Sequence, residues 1–321
     1  MNPKHEIRQI TLLIPLYNEE AVLDTLFTRL LALKTTALPQ LHFLFVDDGS
    51  NDGTAASIHR FSIGRNDVSA LFLSRNFGHA RAITAGLSHV GDDADAVFIL
   101  DGDLQDPPEL LSAFLEKMQE GYDVVYGIRN KRKEGWFKRC AYHIYYRLLR
   151  KTAHISIPLD AGDFSLVSRR VLNHLRSMPE ESRYLRGMRS WVGFAQTGLT
   201  YERQARSGGN SKYSFAQLLR LAGNGLFNFS ELPVRFIGLM GMLAVFPSLI
   251  YLLVTLYKKL VYGTVPEGFT ALIFAIVLFS GVQLLSLAII GEYVLRIFFQ
   301  VKQRPLFLVK SKIINGKPAD G

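Results

Sequence analysis

The stretch that decides the fold reads Val97-Phe98-Ile99-Leu100-Asp101-Gly102-Asp103-Leu104-Gln105-Asp106-Pro107. Its apolar residues predict the end of a buried strand, and Pro107-Pro108 predicts the start of a helix directly after the acidic turn. The acids therefore lie at the carboxyl edge of a strand, where open α/β sheets bind ligands. An Asp-x-Asp pair there can hold Mg2+ against a diphosphate, because Mg2+ takes one or two carboxylates and completes its shell with water and phosphate oxygens. The alternative is a solvated turn in which Asp106 caps the helix.

Apolar runs alternate with helical patterns before and after this stretch. They predict strands at Ile10–Leu16, His42–Val46, Ser69–Leu73, the run before Asp101, and Asp123–Tyr126, with helices near 21–33 and 79–89. This alternation predicts a mostly parallel, doubly wound α/β sheet with its polar turns at one edge. Acids follow the second and fourth strands, so a cation or hydrogen-bond donors must offset their repulsion in one crevice. These acids are Asp47, Asp48, Asp101 and Asp103.

Two long uncharged stretches follow the α/β pattern, from Phe236 to Tyr257 and from Gly268 to Gly291. As helices each would be about 33 to 36 Å long, enough to cross a hydrocarbon core of ~30 Å. We therefore predict two transmembrane helices; the alternative is a pair of buried helices in a soluble core. Cations flank the outer ends of the pair more densely than its loop, so the positive-inside rule places both termini in the cytosol, at the inner (plasma) membrane. The first apolar run is short and contains Pro15, which does not indicate a signal peptide.

The formal net charge of +9 and the single cysteine, Cys140, narrow the function classes. One cysteine excludes an internal disulfide framework and agrees with a reducing compartment. The chain has no helix-turn-helix, zinc-finger or RNA-binding signature, so no nucleic-acid partner is expected. An anionic membrane face and anionic substrates account for the charge. The absence of Gly-x-Gly-x-x-Gly after the first strand and of a Walker A loop disfavours redox and kinase-type functions.

Four motifs occur in order ahead of the two apolar stretches. They are Pro15-x-Tyr17-Asn18-Glu19-Glu20, Asp47-Asp48-Gly49-Ser50-x-Asp52-Gly53-Thr54, Asn76-x-Gly78 and Asp101-x-Asp103-Leu104-Gln105-Asp106-Pro107. Together they resemble family 2 inverting glycosyltransferases of the GT-A fold. Within that family the chain is similar to the polyprenyl-phosphate glycosyltransferases, relatives of dolichol-phosphate mannose synthase, and above all to bacterial bactoprenol glucosyltransferases. The resemblance spans Ile10 to about Leu308.

The resemblance implies transfer of a sugar, glucose from UDP-glucose first of all, to polyprenyl (undecaprenyl) phosphate at the cytosolic membrane face. The lipid-linked product would serve O-antigen modification of lipopolysaccharide, and a homotetramer is implied. The family commonly has Asp-Ala-Asp where this chain has Asp101-Gly102-Asp103. Because glycine removes only a methyl group, we expect metal ligation to be kept.

The resemblance also assigns roles to individual residues. Asp163 matches the acid of a Gly-Asp-Phe motif, where it is a base or orients the acceptor; capping a loop is its alternative role. The implied catalytic residues are Asp163 and Asp103; the nucleotide-sugar ligands are Pro15, Tyr17, Glu19, Asp47, Asp48, Arg75, Gly78, Asp101 and Gly102; and the ligands of Mg2+ or Mn2+ are Asp101, Asp103 and Gln105.

Basic residues supply candidates for binding the acceptor phosphate. Guanidinium groups hold phosphate oxygens bidentately, and lysine acts as a mobile point charge. The candidates are Arg129, Arg132, Arg203, Arg206 and Lys212. Two segments mix aromatic, aliphatic and basic residues, Trp136–Arg150 and Phe215–Phe229. We expect them to lie on anionic lipid; the alternative is that they are ordinary amphipathic helices packed on the domain.

The predicted organisation has four parts: a catalytic domain over 1–200, an acceptor loop and interfacial helix over 201–234, two transmembrane helices over 235–298, and a basic cytosolic tail over 299–321. One alternative is a processive polysaccharide synthase, but the Gln-x-x-Arg-Trp motif is missing, since Arg189-Ser190-Trp191 lacks its glutamine and spacing. Another is a non-catalytic membrane adaptor or translocator that senses nucleotide sugars. The intact acids and the presence of only two predicted spans disfavour it.

Overall fold

The computed structural model of the protein describes residues 7–34, 39–130, 161–181, 183–202, 232–263 and 268–319. The chain divides into two compact units. Among the described residues, one unit comprises 7–34, 39–130, 161–181, 183–202 and 304–319, and the other comprises 232–263 and 268–303. The first unit contains a β-sheet with its helices, and the second contains two long apolar helices.

The elements of the sheet unit follow the predicted alternation up to the fifth strand and then depart from it. The strands are β1 (Gln9–Leu16), β2 (Gln40–Asp47), β3 (Val68–Leu73), β4 (Ala96–Ile99), β5 (Val124–Asn130), β6 (Ala161–Ser168), β7 (Gln196–Glu202), β8 (Val309–Ile314) and β9 (Lys317–Ala319). The helices are α1 (Glu20–Leu33), α2 (Thr54–Ser62), α3 (His79–His89), α4 (Leu111–Gln119, preceded by a 3-10 turn over Pro108–Leu110), α5 (Arg169–Ser177) and α6 (Leu185–Val192).

The described strands form one sheet in the order β7-β5-β6-β4-β1-β2-β3-β8-β9. Strands β4, β1, β2 and β3 run parallel, and β5 pairs in parallel with β7. Strand β6 is antiparallel to both β4 and β5, which makes the sheet mixed on this side. The prediction of a mostly parallel α/β sheet is confirmed.

The central strands are buried on both faces, as expected for parallel strands covered by helices. In β1 the side chains of Leu12, Leu13 and Ile14 are all fully buried. Leu12 and Ile14 belong to the core cluster that includes the inner face of α1, whereas Leu13 contacts α3 on the opposite face. The parallel register brings the carboxyl ends of β1, β2, β3 and β4 to one edge, so the turns that follow them are neighbours.

The second unit contains the apolar helices α7 (Leu232–Tyr262) and α8 (Phe269–Lys302). Their stretches Pro233–Tyr262 and Leu278–Lys302 have mean hydropathies of 2.2 and 1.7, and are long and apolar enough to cross a membrane. Only 6% of the first apolar segment and 0% of the second is buried, which argues against the two helices being core helices of a soluble fold. The two predicted long helices are therefore present, and each extends beyond the uncharged stretch predicted for it.

The C-terminal segment differs from the prediction of a basic tail over 299–321. Strand β8 pairs antiparallel with β3, and β9 pairs with β8. Within β8 the side chain of Ile313 is buried against the core, while its neighbour Ile314 is 47% exposed. Strand β8 lies between β3 and β9, and the lysines that gave the segment its tail-like composition are exposed (Lys310, Lys317) or partly buried (Lys312). The interpretation of residues 309–319 as a tail is therefore wrong.

Candidate active site

The turn after β4 carries the acids that the sequence analysis centred on. Asp101 is partly buried, and its buried Oδ1 atom has no hydrogen-bond partner among the described residues. Asp103 is partly buried and accepts a hydrogen bond from the Gln105 backbone N–H at 3.1 Å through Oδ1. Gly102 is buried, and a methyl group in its place would lie 2.1 Å from Leu16 Cδ2. The glycine at the centre of the Asp-x-Asp pair therefore lets the turn lie against the tip of Leu16.

A second group of charged side chains faces these acids from other elements. His79, the first residue of α3, places Nε2 3.6 Å from Asp101 Oδ1 and 3.6 Å from Asp163 Oδ2. Asp163 lies on β6 and accepts hydrogen bonds from Arg186 of α6, at 3.1 Å from Nε and 3.5 Å from Nη2. The chain thus brings Asp101, His79, Asp163 and Arg186 together in this order from four separate elements.

The electrostatics of this group follow from its burial and its alternating charge. Burial alone lowers the pKa of His79, but the Asp101 and Asp163 carboxylates outweigh it and raise that pKa to about 9. Burial likewise opposes ionisation of Asp163, yet Arg186 and His79 hold its pKa well below the usual range. For Asp101, burial raises the pKa, and the nearby Asp106 and Asp103 add to the effect against the opposing charge of His79. Neighbouring positive charges therefore balance the negative charge of Asp163 well, whereas they do not fully balance that of Asp101.

The turns after β2 and β3 are held together by Asp48. This side chain is buried, and its two carboxylate oxygens accept the backbone N–H groups of Phe77 and Gly78, both at 2.8 Å. Gly78 has φ 95° and immediately precedes His79, so Asp48 fixes the start of α3. Gly49 has φ 69°, and a Cβ atom there would lie 2.4 Å from the backbone carbon of Arg75, so only glycine fits. Asp48 thus has a bracing role, and its predicted contact with the nucleotide stays a prediction.

The remaining predicted nucleotide-sugar ligands gather at the same edge. Asp47 is buried at the end of β2, and burial raises its pKa. Pro15 is buried near the end of β1, and Tyr17 after it is partly buried. The Glu19 backbone N–H donates to Thr54 Oγ1 at 2.9 Å, which ties the turn after β1 to the start of α2. Arg75 is exposed and stacks on the ring of Phe77, 4.1 Å from its centroid.

Arg129 is the acceptor-phosphate candidate that lies within the described residues. It is near the end of β5, where its Nη2 lies 3.4 Å from Asp106 Oδ2 and its Nε lies 3.4 Å from the Tyr201 hydroxyl. Asp106 is fully buried and accepts a hydrogen bond from the Tyr201 hydroxyl at 2.5 Å. It is therefore not the solvated helix cap considered as an alternative from the sequence. Arg132, Arg203, Arg206, Lys212 and the two predicted interfacial segments fall outside the described residues.

Three residues of this site were not predicted from the sequence: His79, Arg186 and Tyr201. His79 follows the turn of the third strand, so its position at the same sheet edge was an available signal. Arg186 lies on a helix that no motif marked, and Tyr201 meets Asp106 from 95 positions away. Neither of these two pairings has a local signature.

The described residues fit a divalent cation, but only in part. Within them no three or more histidine, cysteine or acid side chains are arranged to hold a metal. The orphaned Oδ1 of Asp101 and the under-compensated charge around it fit a cation that takes two carboxylates and completes its shell from substrate phosphate and water. Asp101 and Asp103 are the residues to supply those carboxylates, with Gln105 beside them.

The family model of "Glycosyl transferase family 2" matches residues 11–176. This range contains every site residue described above except Arg186 on α6 and Tyr201 on β7. The chain belongs to glycosyl transferase family 2. The family predicted from the motifs is thereby confirmed, as is the fold class, a mostly parallel GT-A sheet followed by two long apolar helices.

Two curated relatives illustrate the similarity of this family 2 glycosyltransferase to known proteins. "Uncharacterized glycosyltransferase YkcC" of Bacillus subtilis (strain 168) is 39% identical over 303 residues, covering 94% of this chain and 93% of the relative. The "SfII prophage-derived bactoprenol glucosyl transferase" of Shigella flexneri is 33% identical over 311 residues, covering 97% of this chain and 100% of the relative.

A solved structure of glucosyl-3-phosphoglycerate synthase from Mycobacterium tuberculosis, in complex with Mn2+, UDP and glucosyl-3-phosphoglycerate, is also similar. Its identity to this chain is 18%, it matches 67% of this chain and 80% of its own, and its TM-score is 0.46.

Proposed function

We propose that this glycosyltransferase moves glucose from UDP-glucose to a polyprenyl phosphate, in bacteria undecaprenyl phosphate, at the cytosolic face of the inner membrane, with inversion at the anomeric carbon. The observation that carries the proposal is the convergence of Asp101, His79, Asp163 and Arg186 at the carboxyl edge of the sheet. Full-length similarity to a protein named bactoprenol glucosyl transferase supports the lipid acceptor, and the two apolar helices support a membrane location.

The donor's diphosphate belongs at the turn after β4. Asp101 and Asp103 would hold Mg2+ or Mn2+ there, with Gln105 at the rim of the site. When bound, such an ion neutralises charge on the leaving diphosphate. The buried Oδ1 of Asp101, which accepts no hydrogen bond from the described residues, supports this assignment, because a buried carboxylate oxygen without a hydrogen bond is costly unless a ligand satisfies it.

Asp163 acts by orientation and not as a general base. Its pKa is held well below the usual range by Arg186 and His79, and a carboxylate so stabilised is a poor proton acceptor. The acceptor does not require one, since a phosphate monoester loses its second proton near pH 6 and is already a dianion in the cytosol. Asp163 therefore fixes Arg186 and His79, whose positive groups can face the approaching phosphate and the sugar.

The positively charged side chains at this edge also help to bring the two anionic substrates together. In the metal-free protein the Asp101 and Asp163 carboxylates, against the effect of burial, raise the pKa of His79 to about 9, so its imidazole is positively charged at neutral pH. Arg129 and Arg186 add fixed charges on β5 and α6. Holding the acceptor phosphate next to the anomeric carbon makes the reaction effectively unimolecular, which supplies much of the rate enhancement in such transfers. Assembly as a homotetramer stays a prediction from the family resemblance.

The test is direct product analysis with the full chain purified in lipid nanodiscs. The protein is incubated with undecaprenyl phosphate, Mg2+ or Mn2+ and radiolabelled UDP-glucose, GDP-mannose or a UDP-aminosugar in parallel. We expect label in the lipid fraction from UDP-glucose, in a β-linked product, and none with the neutral alcohol undecaprenol. Transfer to undecaprenol, or transfer of no sugar to the phosphate, contradicts the proposal. Preferential transfer of another sugar corrects the donor alone.

A further inference from the structure

The buried carboxylate of Asp106 lies between two side chains from the ends of neighbouring strands. Its Oδ1 accepts a short hydrogen bond of 2.5 Å from the Tyr201 hydroxyl, and its Oδ2 faces Nη2 of Arg129 at 3.4 Å. Asp106 is 0% exposed, so burial of this charge requires both partners. The three residues come from the acidic turn after β4, from β5 and from β7.

Tyr201 is rigidly placed for this contact. Its ring packs against the buried ring of Phe164 with centroids 5.3 Å apart, and Phe164 in turn packs against Phe98 and Phe114. Only 6% of Tyr201 is exposed. A ring fixed on one side by the aromatic core can present its hydroxyl to Asp106 at almost no cost in conformational entropy.

Arg129 makes its hydrogen bonds to the described residues through one edge of the guanidinium group, formed by Nε and Nη2. Its Nε and Nη2 face Tyr201 and Asp106, whereas no described residue accepts a hydrogen bond from Nη1. The side chain is 18% exposed. The neighbouring Gly162 leaves room for it, because a Cβ atom there would lie 3.2 Å from Arg129 Nη2. An arginine held by one edge presents the other edge in a fixed direction, which suits a phosphate oxygen.

We infer that Asp106 and Tyr201 are positioning residues that orient Arg129 as a ligand of the acceptor's phosphate group. The inference rests on the proposed function, in which a lipid phosphate is the acceptor. The Tyr201 hydroxyl orients the Asp106 carboxylate, and this carboxylate holds the Nη2 side of the Arg129 guanidinium. Nη1 of Arg129 then contacts the phosphate. Tyr201 itself does not contact the substrate.

The primary test measures binding of dodecyl phosphate to the full chain in neutral detergent micelles, with dodecanol as the uncharged control probe. We expect Arg129→Gln to weaken dodecyl phosphate binding about 10- to 100-fold, as for loss of a charge-assisted hydrogen bond, and Tyr201→Phe to weaken it about 2- to 10-fold. Because Tyr201 acts through Arg129, adding Tyr201→Phe to the Arg129→Gln protein should change the affinity less than about twofold.

A matched control is Tyr122→Phe, which removes a hydroxyl at the opposite end of β5 and should leave the affinity unchanged. In the transfer assay, Tyr201→Phe should raise KM for the polyprenyl phosphate and leave kcat and the KM for UDP-glucose within about twofold. A role confined to stability would instead lower the melting temperature without this selective change in KM.

Three results of the binding assay overturn the inference: equal binding of dodecyl phosphate and dodecanol, no effect of Tyr201→Phe on phosphate binding, or the same effect with and without Arg129. A shift in donor KM alone also overturns it, because it would place the network with the nucleotide. Coupled phosphate binding without any sugar transfer contradicts the proposed function and supports the phosphate site. Sugar transfer without the coupling contradicts the positioning role alone.

Discussion

Replacing Arg186 by glutamine tests whether the ionised, oriented form of Asp163 matters for transfer. Arg186 makes two hydrogen bonds to Asp163, at 3.1 Å and 3.5 Å, with both side chains mostly shielded from water, at 21% and 17% exposed. Charge-assisted hydrogen bonds of this kind contribute about 1.5 to 3 kcal/mol. At 1.36 kcal/mol for each tenfold change in rate, their loss should lower kcat/KM by about 10- to 150-fold.

The assay is the initial rate of glucose transfer to undecaprenyl phosphate, measured well below the melting temperature of each variant. The matched control is Arg169→Gln. Arg169 likewise donates to a carboxylate, that of Asp92 at 2.5 Å, and in addition to the Gly91 carbonyl at 2.7 Å, but at the opposite edge of the sheet. The control should keep its rate within about twofold. Equal losses in both variants, or an unchanged rate for Arg186→Gln, would refute the role given to Asp163.

Three further predictions concern pH, backbone conformation and the C-terminal strand. In metal-free protein, His79 should stabilise the fold relative to a His79→Gln variant, fully below pH 6.5 and no longer as the pH rises through about 9, because the pKa of His79 is raised in the folded state. Thermal unfolding of both proteins from pH 5.5 to 10 checks this, and a stability difference that grows with pH contradicts it. Gly49→Ala should destabilise the protein more than Gly64→Ala, by about 1 kcal/mol or more, because both glycines have positive φ but only at Gly49 would a Cβ atom press against backbone. Equal melting temperatures of the two variants would contradict this. Ile313→Ala should destabilise the protein by about 2 to 5 kcal/mol and Ile314→Ala by about 0.5 kcal/mol or less, as measured by denaturant unfolding; similar losses would argue that β8 is not part of the sheet.

The sheet edge and its acids could be predicted because the signals were local. Each of Asp47, Asp48, Asp101 and Asp103 directly follows an apolar run that ends in a turn, and parallel strands bring such turns to one edge. Strand β6 was missed because Asp163 stood out as a motif, and because the polar residues Ser165 and Ser168 interrupt the apolar pattern of a strand that is buried on both faces.

The partners of these acids could not be predicted because they depend on tertiary contacts. Arg186 and Asp163 are 23 positions apart, and Tyr201 and Asp106 are 95 positions apart. Asp48 shows the same limitation in another form. Its type and position suggested a ligand, whereas the structure uses both of its oxygens to hold the backbone of the turn that begins α3.

The account depends most directly on the acidic turn after β4. The decisive measurement compares transfer of labelled glucose from UDP-glucose to undecaprenyl phosphate by wild type, Asp103→Asn and Asp92→Asn, each as the full chain with saturating Mg2+ or Mn2+. Asp92 is 96% exposed at the opposite edge of the sheet and serves as the matched control. The account predicts a rate at least about 100-fold lower for Asp103→Asn, with an unchanged melting temperature and an unaffected Asp92→Asn protein. Wild-type transfer by a folded Asp103→Asn protein would contradict it.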